Sequence, residues 1–517
     1  MFIIIIILFI LASLIAVYSF GHFARQAKGE ASYALKIQKD QTKLDRILGA
    51  QSALHPNQSS LLLIPSNLDA FAIRAISARD AGRSLDLQYY IWHDDLTGQL
   101  LGLELLDAAD RGVRVRIILD DMNAYSRSSL LATLGLHPNI SIRMFNPTRA
   151  RNNSLIRGIE MILRIFSINR RMHNKSWIAD GRMAIVGGRN IGNEYFGAAD
   201  NRNFFDADLL IGGEAVKETE TIFDDFWNSD AVIPIEALVT AKANSLNELR
   251  QKIQLKRQNI AALPYLKKLQ DAPNVKSLFK GELNEQGWQV HWTNQVHVYS
   301  DPATKAFGND QDKWLFHHIK PVLENASAKI SLISPYFVPG KAGVNKFSML
   351  HRQGIDIDIL TNSLAANDVI MAHSGYAPYR KELLQNDIKL YELKPFGKTE
   401  RSLIGSSDAS LHTKAFLVDN TIGFVGSFNF DPRSANLNTE MGIIFKEPSI
   451  VKALQNEFNM KISHDFSYQV VLIDDKLRWL DENEQNEPIT WSNDPQSKWW
   501  QRTIATLASY LPIESQL

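Results

Sequence analysis

The chain carries one short pattern twice: His173-Asn174-Lys175 followed by Asp180, and His412-Thr413-Lys414 followed by Asp419. Each copy continues alike, with Gly187, Gly188 and Asn190 after the first and Gly426, Ser427 and Asn429 after the second, so every position pairs at a constant offset. One H-x-K in a strand is usually a solvated pair. Two copies in register call for a fold of two like halves, each supplying half of a site. His and Lys two residues apart in a strand face the same side, so an imidazole and an ammonium converge on one small anion, for which a phosphate group is the obvious choice.

At 517 residues the chain exceeds the usual size of a single core, and two domains match the two repeats. Its 56 basic and 56 acidic residues cancel, which removes any global electrostatic case for nucleic acid, so none is expected as a partner. Cysteine is absent, excluding disulfides, thiolate metal sites and a cysteine nucleophile. Residues 2–20 form an uncharged, Ile- and Leu-rich run long enough to cross a hydrocarbon core as a helix. No basic stretch precedes it and no small-x-small site stands before Gly21, so it reads as a retained anchor rather than a cleaved signal. Arg25, Lys28, Lys36, Lys39 and Lys43 follow it, which by the positive-inside rule places the body in the cytoplasm.

The expected organisation is an anchor over residues 1–24, a stalk over 25–60 with helix-compatible residues 31–48, a first repeat over 61–235, a helical connector over 236–290, a second repeat over 291–470 and a tail over 471–517. In the first repeat, residues 84–90 read as a strand and 100–111 as a helix, and Val113, Val115, Ile117 and Leu119 alternate as the next strand. The second repeat does the same at 330–333, 344–353 and 354–360. Such strand–helix–strand units give an α/β fold with a parallel or mixed sheet and helices on both faces. The connector shows a capping-box pattern at Ser245 and Glu248. In the tail, Trp491, Trp499 and Trp500 precede Ile504, Leu507 and Leu511 at helical spacing, which suits either an interfacial membrane helix or a helix docked on the body. Residues 156–166 set Ile159, Ile162, Leu163 and Phe166 against Arg157, Arg164, Arg170 and Arg171, a basic and apolar approach to His173 that suits an anionic lipid.

A phosphodiester is cleaved when a histidine nitrogen displaces one alcohol, giving a phosphohistidine that a second alcohol attacks. One histidine attacks while the other gives a proton to the departing alkoxide and later takes one from the incoming hydroxyl. Lys175 and Lys414 would neutralise the non-bridging oxygens, so neither metal nor cofactor is needed. Asn190 and Asn429 add neutral donors for the substrate, with Ser427 as a further one. An orienting carboxylate is expected on the histidines. Glu440 serves in the second half, and lining Glu440-Met441-Gly442-Ile443-Ile444 against Asp206-Ala207-Asp208-Leu209-Leu210 gives Asp206 as its counterpart, with Asp208 the fallback. Asp180 and Asp419 complete the motif, with the task of tying a strand end to its surroundings.

The doubled H-x-K-x4-D resembles the signature of the phospholipase D superfamily. The stretches 169–175 and 186–196 around the first copy are similar to bacterial cardiolipin synthases, those of the C type above all. That resemblance implies two α/β/α repeats packed as a pseudo-two-fold pair in the bacterial inner membrane. It implies cardiolipin formation from phosphatidylglycerol and a second phospholipid, phosphatidylethanolamine or phosphatidylglycerol, with His173 as nucleophile and His412 as general acid/base. The competing readings are a phosphodiesterase that uses water on lipid or single-stranded nucleic acid, and a silent scaffold that binds anionic lipid. Whether an accessory protein is needed is not encoded.

Overall fold

The computed structural model describes residues 2–151, 153–257, 265, 290–395, 409–482 and 487–517. Helix α1 (Phe2–Gln26) is apolar, exposed and long enough to cross a membrane. Most of the connector beyond Arg257 lies outside the described residues. The stretch after α1 departs from the helical stalk expected there: residues 28–38 run without helix along the first repeat. Side chains of the body capture its backbone. Ser32 N donates to Asn228 Oδ1 at 3.0 Å and Ala34 N to Asp224 Oδ2 at 2.7 Å, while Arg116 and Arg114 donate to the carbonyls of Ser32 and Tyr33. A polar segment whose amides find fixed acceptors gains nothing by coiling.

The first half runs β1 (Ser59–Ile64), α2 (Asn67–Asp80), β2 (Ser84–Tyr89), α3 (Leu96–Asp110), β3 (Arg114–Asp120), α4 (Ser128–Leu134), β4 (Ile140–Phe145), α5 (Ser154–Leu163), β5 (Ser176–Ala179), β6 (Met183–Gly187), β7 (Asn203–Phe205), β8 (Asp208–Gly213), α6 (Glu214–Trp227), β9 (Val232–Pro234), α7 (Ser245–Arg257) and β10 (His291–Thr293). The second runs β11 (Val296–Ser300), α8 (Leu315–Glu324), β12 (Lys329–Ile333), α9 (Gly340–Arg352), β13 (Asp356–Asn362), α10 (Ile370–Tyr376), β14 (Lys389–Leu393), β15 (Ala409–Leu411), β16 (Ala415–Val418), β17 (Ile422–Gly426), β18 (Met441–Phe445), α11 (Pro448–Ile462), β19 (Ser467–Ile473), β20 (Lys476–Glu482), β21 (Pro488–Trp491) and α12 (Trp499–Ser509). The strands match expectation to within two residues, but α3 and α9 each begin four residues early. Asp95 accounts for the first, because its side chain accepts from Gly98 N and caps the helix before the apolar periodicity starts. Ser245 lies inside α7, its hydroxyl donating to Lys242 O and accepting from Thr133.

The two sheets repeat one order. Setting aside the edges, β1-β8-β6-β5-β2-β3-β4-β9 corresponds strand for strand to β11-β18-β17-β16-β12-β13-β14-β19, with β2-β3-β4 and β12-β13-β14 parallel and the other neighbours antiparallel. Leu61, Ile178, Val186 and Leu209 of one sheet share a core with Ile333, Val425 and Ile443 of the other. Backbone also crosses the junction: β7 pairs in parallel with β15, and Met172 bridges Thr439.

Both segments named for the membrane surface lie on the outside. In α5, Leu155, Ile156, Ile159 and Ile162 are exposed, and the helix packs beside α1 with the Arg164 guanidinium 3.3 Å from the Phe20 ring centroid. Helix α12 docks on α10, burying Ala505 and Ala508 but leaving Trp499, Leu507 and Tyr510 outward. Asn169 Nδ2 donates to Gln516 Oε1 at 2.6 Å, bringing the chain end alongside the segment that follows α5.

Candidate active site

Both motifs begin just before a central strand, β5 or β16, where the two halves meet. His173 N donates to Thr439 O at 2.8 Å, and His412 N donates to Phe205 O at 2.7 Å, so each histidine is held by the backbone of the opposite half. The side chains cross in the same sense. His173 Nδ1 lies 2.8 Å from Glu440 Oε2, and His412 Nδ1 lies 2.6 Å from Asp206 Oδ2. Each motif histidine thus takes its carboxylate from the other repeat. Asp208, the fallback, instead pairs with Arg74 at 2.9 Å and Arg189 at 3.3 Å.

The His173 tautomer follows from its neighbours. Nδ1 also stands 3.1 Å from Ser427 O, which only accepts, so Nδ1 carries the hydrogen and a neutral ring leaves its lone pair on Nε2. Burial, then Lys175 and Lys414, hold the His173 pKa well below its ordinary value. Burial, then Lys414, Lys175 and His173, do the same to His412. The four groups therefore share one electrostatic site. Burial also pushes Glu440 up to about 7 and raises Asp206, while it lowers Lys175 well below its usual value and Lys414 to about 8. A set of cations and imidazoles so short of solvent is poised to gain from an incoming anion.

Each lysine folds back on its own motif: Lys175 Nζ donates to His173 O and Lys414 Nζ to His412 O, both at 2.6 Å. The motif aspartates stand away from the histidines, at the far ends of β5 and β16. Asp180 and Asp419 sit in left-handed turns, at φ 54° and 52°. Asp180 accepts from the amides of Gly82, Arg83 and Ser84, and Asp419 from those of Ser327, Ala328 and Lys329. Each pins a β-hairpin to the start of the neighbouring parallel strand.

Asn190 is already engaged, accepting from Ile91 N at 3.1 Å and donating to Tyr195 OH at 2.9 Å, which leaves one amide hydrogen. The Asn429 amide oxygen is buried without a hydrogen-bond partner. Ser427 donates its hydroxyl to Glu440 Oε2 at 2.5 Å and receives Met441 N at 3.0 Å, so it holds the carboxylate rather than pointing at a ligand. Sequence reasoning passed over Ser434, which donates to Glu440 Oε1 at 2.9 Å, and the aromatic walls. Tyr90 stands edge-on to His173 at 5.1 Å, Tyr195 to His412 at 5.1 Å, and Tyr336 lies 6.0 Å from Lys414. Tyr90 and Tyr336 follow equivalent strands, β2 and β12, but stand one position out of register, so a repeat at constant offset does not reveal the pair.

Residues 75–227 and 319–462 match the family model described as "Cardiolipin synthase, PLD-like domain". The chain is 38% identical to cardiolipin synthase C of Escherichia coli (strain K12) over 469 residues, 89% of this chain and 96% of that protein. This chain belongs to the cardiolipin synthase, phospholipase D-like domain family. Within it, a Helicobacter pylori (strain J99) protein is 32% identical over 89% of each chain. The crystal structure of phosphatidylserine synthase from Haemophilus influenzae Rd KW20 shares the fold, with a TM-score of 0.53 at 14% identity over 82% of this chain and 92% of that one. The two family segments fall one in each half, and each contains one complete H-x-K-x4-D.

Proposed function

We propose that this protein is a membrane-anchored phosphatidyltransferase that makes cardiolipin from phosphatidylglycerol and a second phospholipid through a phosphohistidine. The carrying observation is the doubly accepted Nδ1 of His173, which directs the Nε2 lone pair outward. His173 Nε2 attacks phosphorus and the bond to the headgroup oxygen breaks, His412 giving its proton to the leaving alkoxide. A glycerol hydroxyl of phosphatidylglycerol then attacks the phosphohistidine, its proton passes to His412, and the P–N bond breaks. Lys175, Lys414 and the two asparagines hold the non-bridging oxygens. The charge of the bound phosphate opposes the lysines and shifts His412 back toward the protonated form that its acid role needs.

The similarity to cardiolipin synthase C supports phospholipid as substrate, and α1 supports residence in a membrane. The basic residues after α1 favour a cytoplasmic body at the bacterial inner membrane, with the outward faces of α5 and α12 at the lipid surface. Either phosphatidylethanolamine or phosphatidylglycerol fits as donor. The test is product analysis of purified full-length protein on vesicles of phosphatidylglycerol with and without phosphatidylethanolamine. Cardiolipin is expected. Phosphatidic acid alone would make the enzyme a hydrolase, and unchanged lipid would make it a scaffold.

A further inference from the structure

Beside the backbone of Glu440, the turn after β11 brings in two buried charges that no step above uses. Asp301 and Lys305 are each 1% exposed, so neither meets solvent or a bound lipid. Lys305 Nζ donates to Asp301 Oδ2 at 2.9 Å and to Ser434 O at 3.0 Å. Asp301 Oδ2 also receives Glu440 N at 2.8 Å, and Asp301 Oδ1 receives Leu315 N at 2.8 Å. The Ser434 hydroxyl in turn donates to Glu440 Oε1 at 2.9 Å. The pair thus grips Glu440 at both ends, at its amide through Asp301 and at its carboxylate through Lys305 and Ser434. Arg170 Nη1 donates to Lys305 O at 3.1 Å, which ties the same turn to the run-up to His173. Both residues lie outside the segments 75–227 and 319–462 that match the family model.

Charge gives a second argument. Glu440 is faced by His173, Lys175 and Lys414, by Asp431, and by Asp301 with Lys305. Burial pushes Glu440 up to about 7, against the pull of Lys175, of the Ser427 and Ser434 hydroxyls and of Lys305. A proton added to the Glu440–His173 pair either occupies the Nε2 lone pair or neutralises the acceptor of Nδ1, and both disable the nucleophile. Once a phosphate binds, its charge answers Lys175 and Lys414 and weakens their hold on Glu440. Lys305 cannot be drawn off in this way, because it has no access to the ligand.

We propose that Asp301 and Lys305 are positioning residues for the His173 half-site, holding Glu440 in place and anionic under the imidazole while the motif lysines are engaged by the substrate phosphate. The assignment deepens the phosphatidyltransferase reading and rests on its nucleophile, His173.

Lys305→Met alone strands Asp301 in the interior, so the informative protein combines Asp301→Asn with Lys305→Met. It removes both charges at once, which buried pairs often tolerate, and the amide oxygen at 301 can still accept from Glu440 N and Leu315 N. Its unfolding midpoint should stay close to that of the wild type. Headgroup release from phosphatidylglycerol vesicles by the full-length protein, followed against pH, reports the His173 step. The acid limb of kcat/KM should move up by on the order of one pH unit, a loss of about tenfold on that limb that shrinks toward alkaline pH. With Glu440→Gln already in place, the same two substitutions should leave the remaining profile unmoved. A uniform loss at every pH would reduce the pair to a structural one and overturn the proposal, as would a limb in the wild-type position or a shift that persists without the Glu440 carboxylate. The expected shift in a protein that yields phosphatidic acid rather than cardiolipin would uphold the pair and sink the transferase reading instead.

Discussion

The two half-sites use one plan with different parts. In the half-site at His173 the carboxylate is Glu440, held by Ser427 at 2.5 Å and Ser434 at 2.9 Å, and the imidazole has a second acceptor in Ser427 O. In the half-site at His412 the carboxylate is the shorter Asp206, with Ala207 N at 2.8 Å. Gly188 takes the place of Ser427 there, and a Cβ on it would meet Asp206 Oδ1 at 2.2 Å. The plan is symmetric because the sheets are. The differences support the roles proposed for the two rings: a nucleophile needs one tautomer fixed firmly, whereas an acid/base needs a ring that changes protonation twice per cycle.

That contrast can be broken by substitution. His173→Ala or His412→Ala alone should abolish turnover, a loss on the order of 10^4 or more, because one shared site needs both groups. Half the wild-type rate in either variant would mean independent halves. Glu440→Gln should cost more than Asp206→Asn, on the order of 10^3 against 10^2 in kcat, since the amide disturbs the tautomer of the attacking ring. A larger loss for Asp206→Asn would reverse the comparison.

Exchanging the spacers sharpens it. Ser427→Gly removes one donor from a buried carboxylate, about 1–3 kcal/mol, and should reduce kcat roughly tenfold or more with little change in fold by circular dichroism. Gly188→Ser forces the Asp206 carboxylate to move, so both activity and unfolding midpoint should drop. A Gly188→Ser protein as stable and active as wild type would mean that the two carboxylates are interchangeable.

The smallest expected effect is in pH-dependent stability. Folding lowers the pKa of both histidines, so the unfolded chain binds protons more readily below about pH 6.5 and stability falls as pH drops through that value. His412→Asn should therefore gain stability relative to wild type at pH 5 compared with pH 8. The raised Glu440 runs the other way, retaining its proton in the fold up to about 7, so Glu440→Gln should lose relative stability over the same descent. Parallel unfolding curves at the two pH values would contradict both signs.

Much of this was legible in the sequence because the repeat states it twice. The copies placed His173, Lys175, His412 and Lys414, and apolar alternation placed the parallel strands around them. The carboxylates were harder. Aligning β18 with β8 named Glu440 and Asp206, yet nothing in either segment says that each crosses to the other half's histidine; that depends on how two sheets pack. Ser427 was expected to be a further donor to the phosphate, and only the approach of Glu440 shows where its hydroxyl goes. The extended run after α1 was missed for a related reason: its partners, Asn228, Asp224 and Arg116, are far away in sequence.

The most direct test uses full-length His412→Asn with a phospholipid analogue carrying a good leaving group, quenched during turnover and mapped by mass spectrometry. Formation then needs no acid, while breakdown still needs a base, so an acid-labile phosphoryl adduct should accumulate on His173. An adduct that formed instead in His173→Asn, on His412, would contradict the roles drawn from the two half-sites.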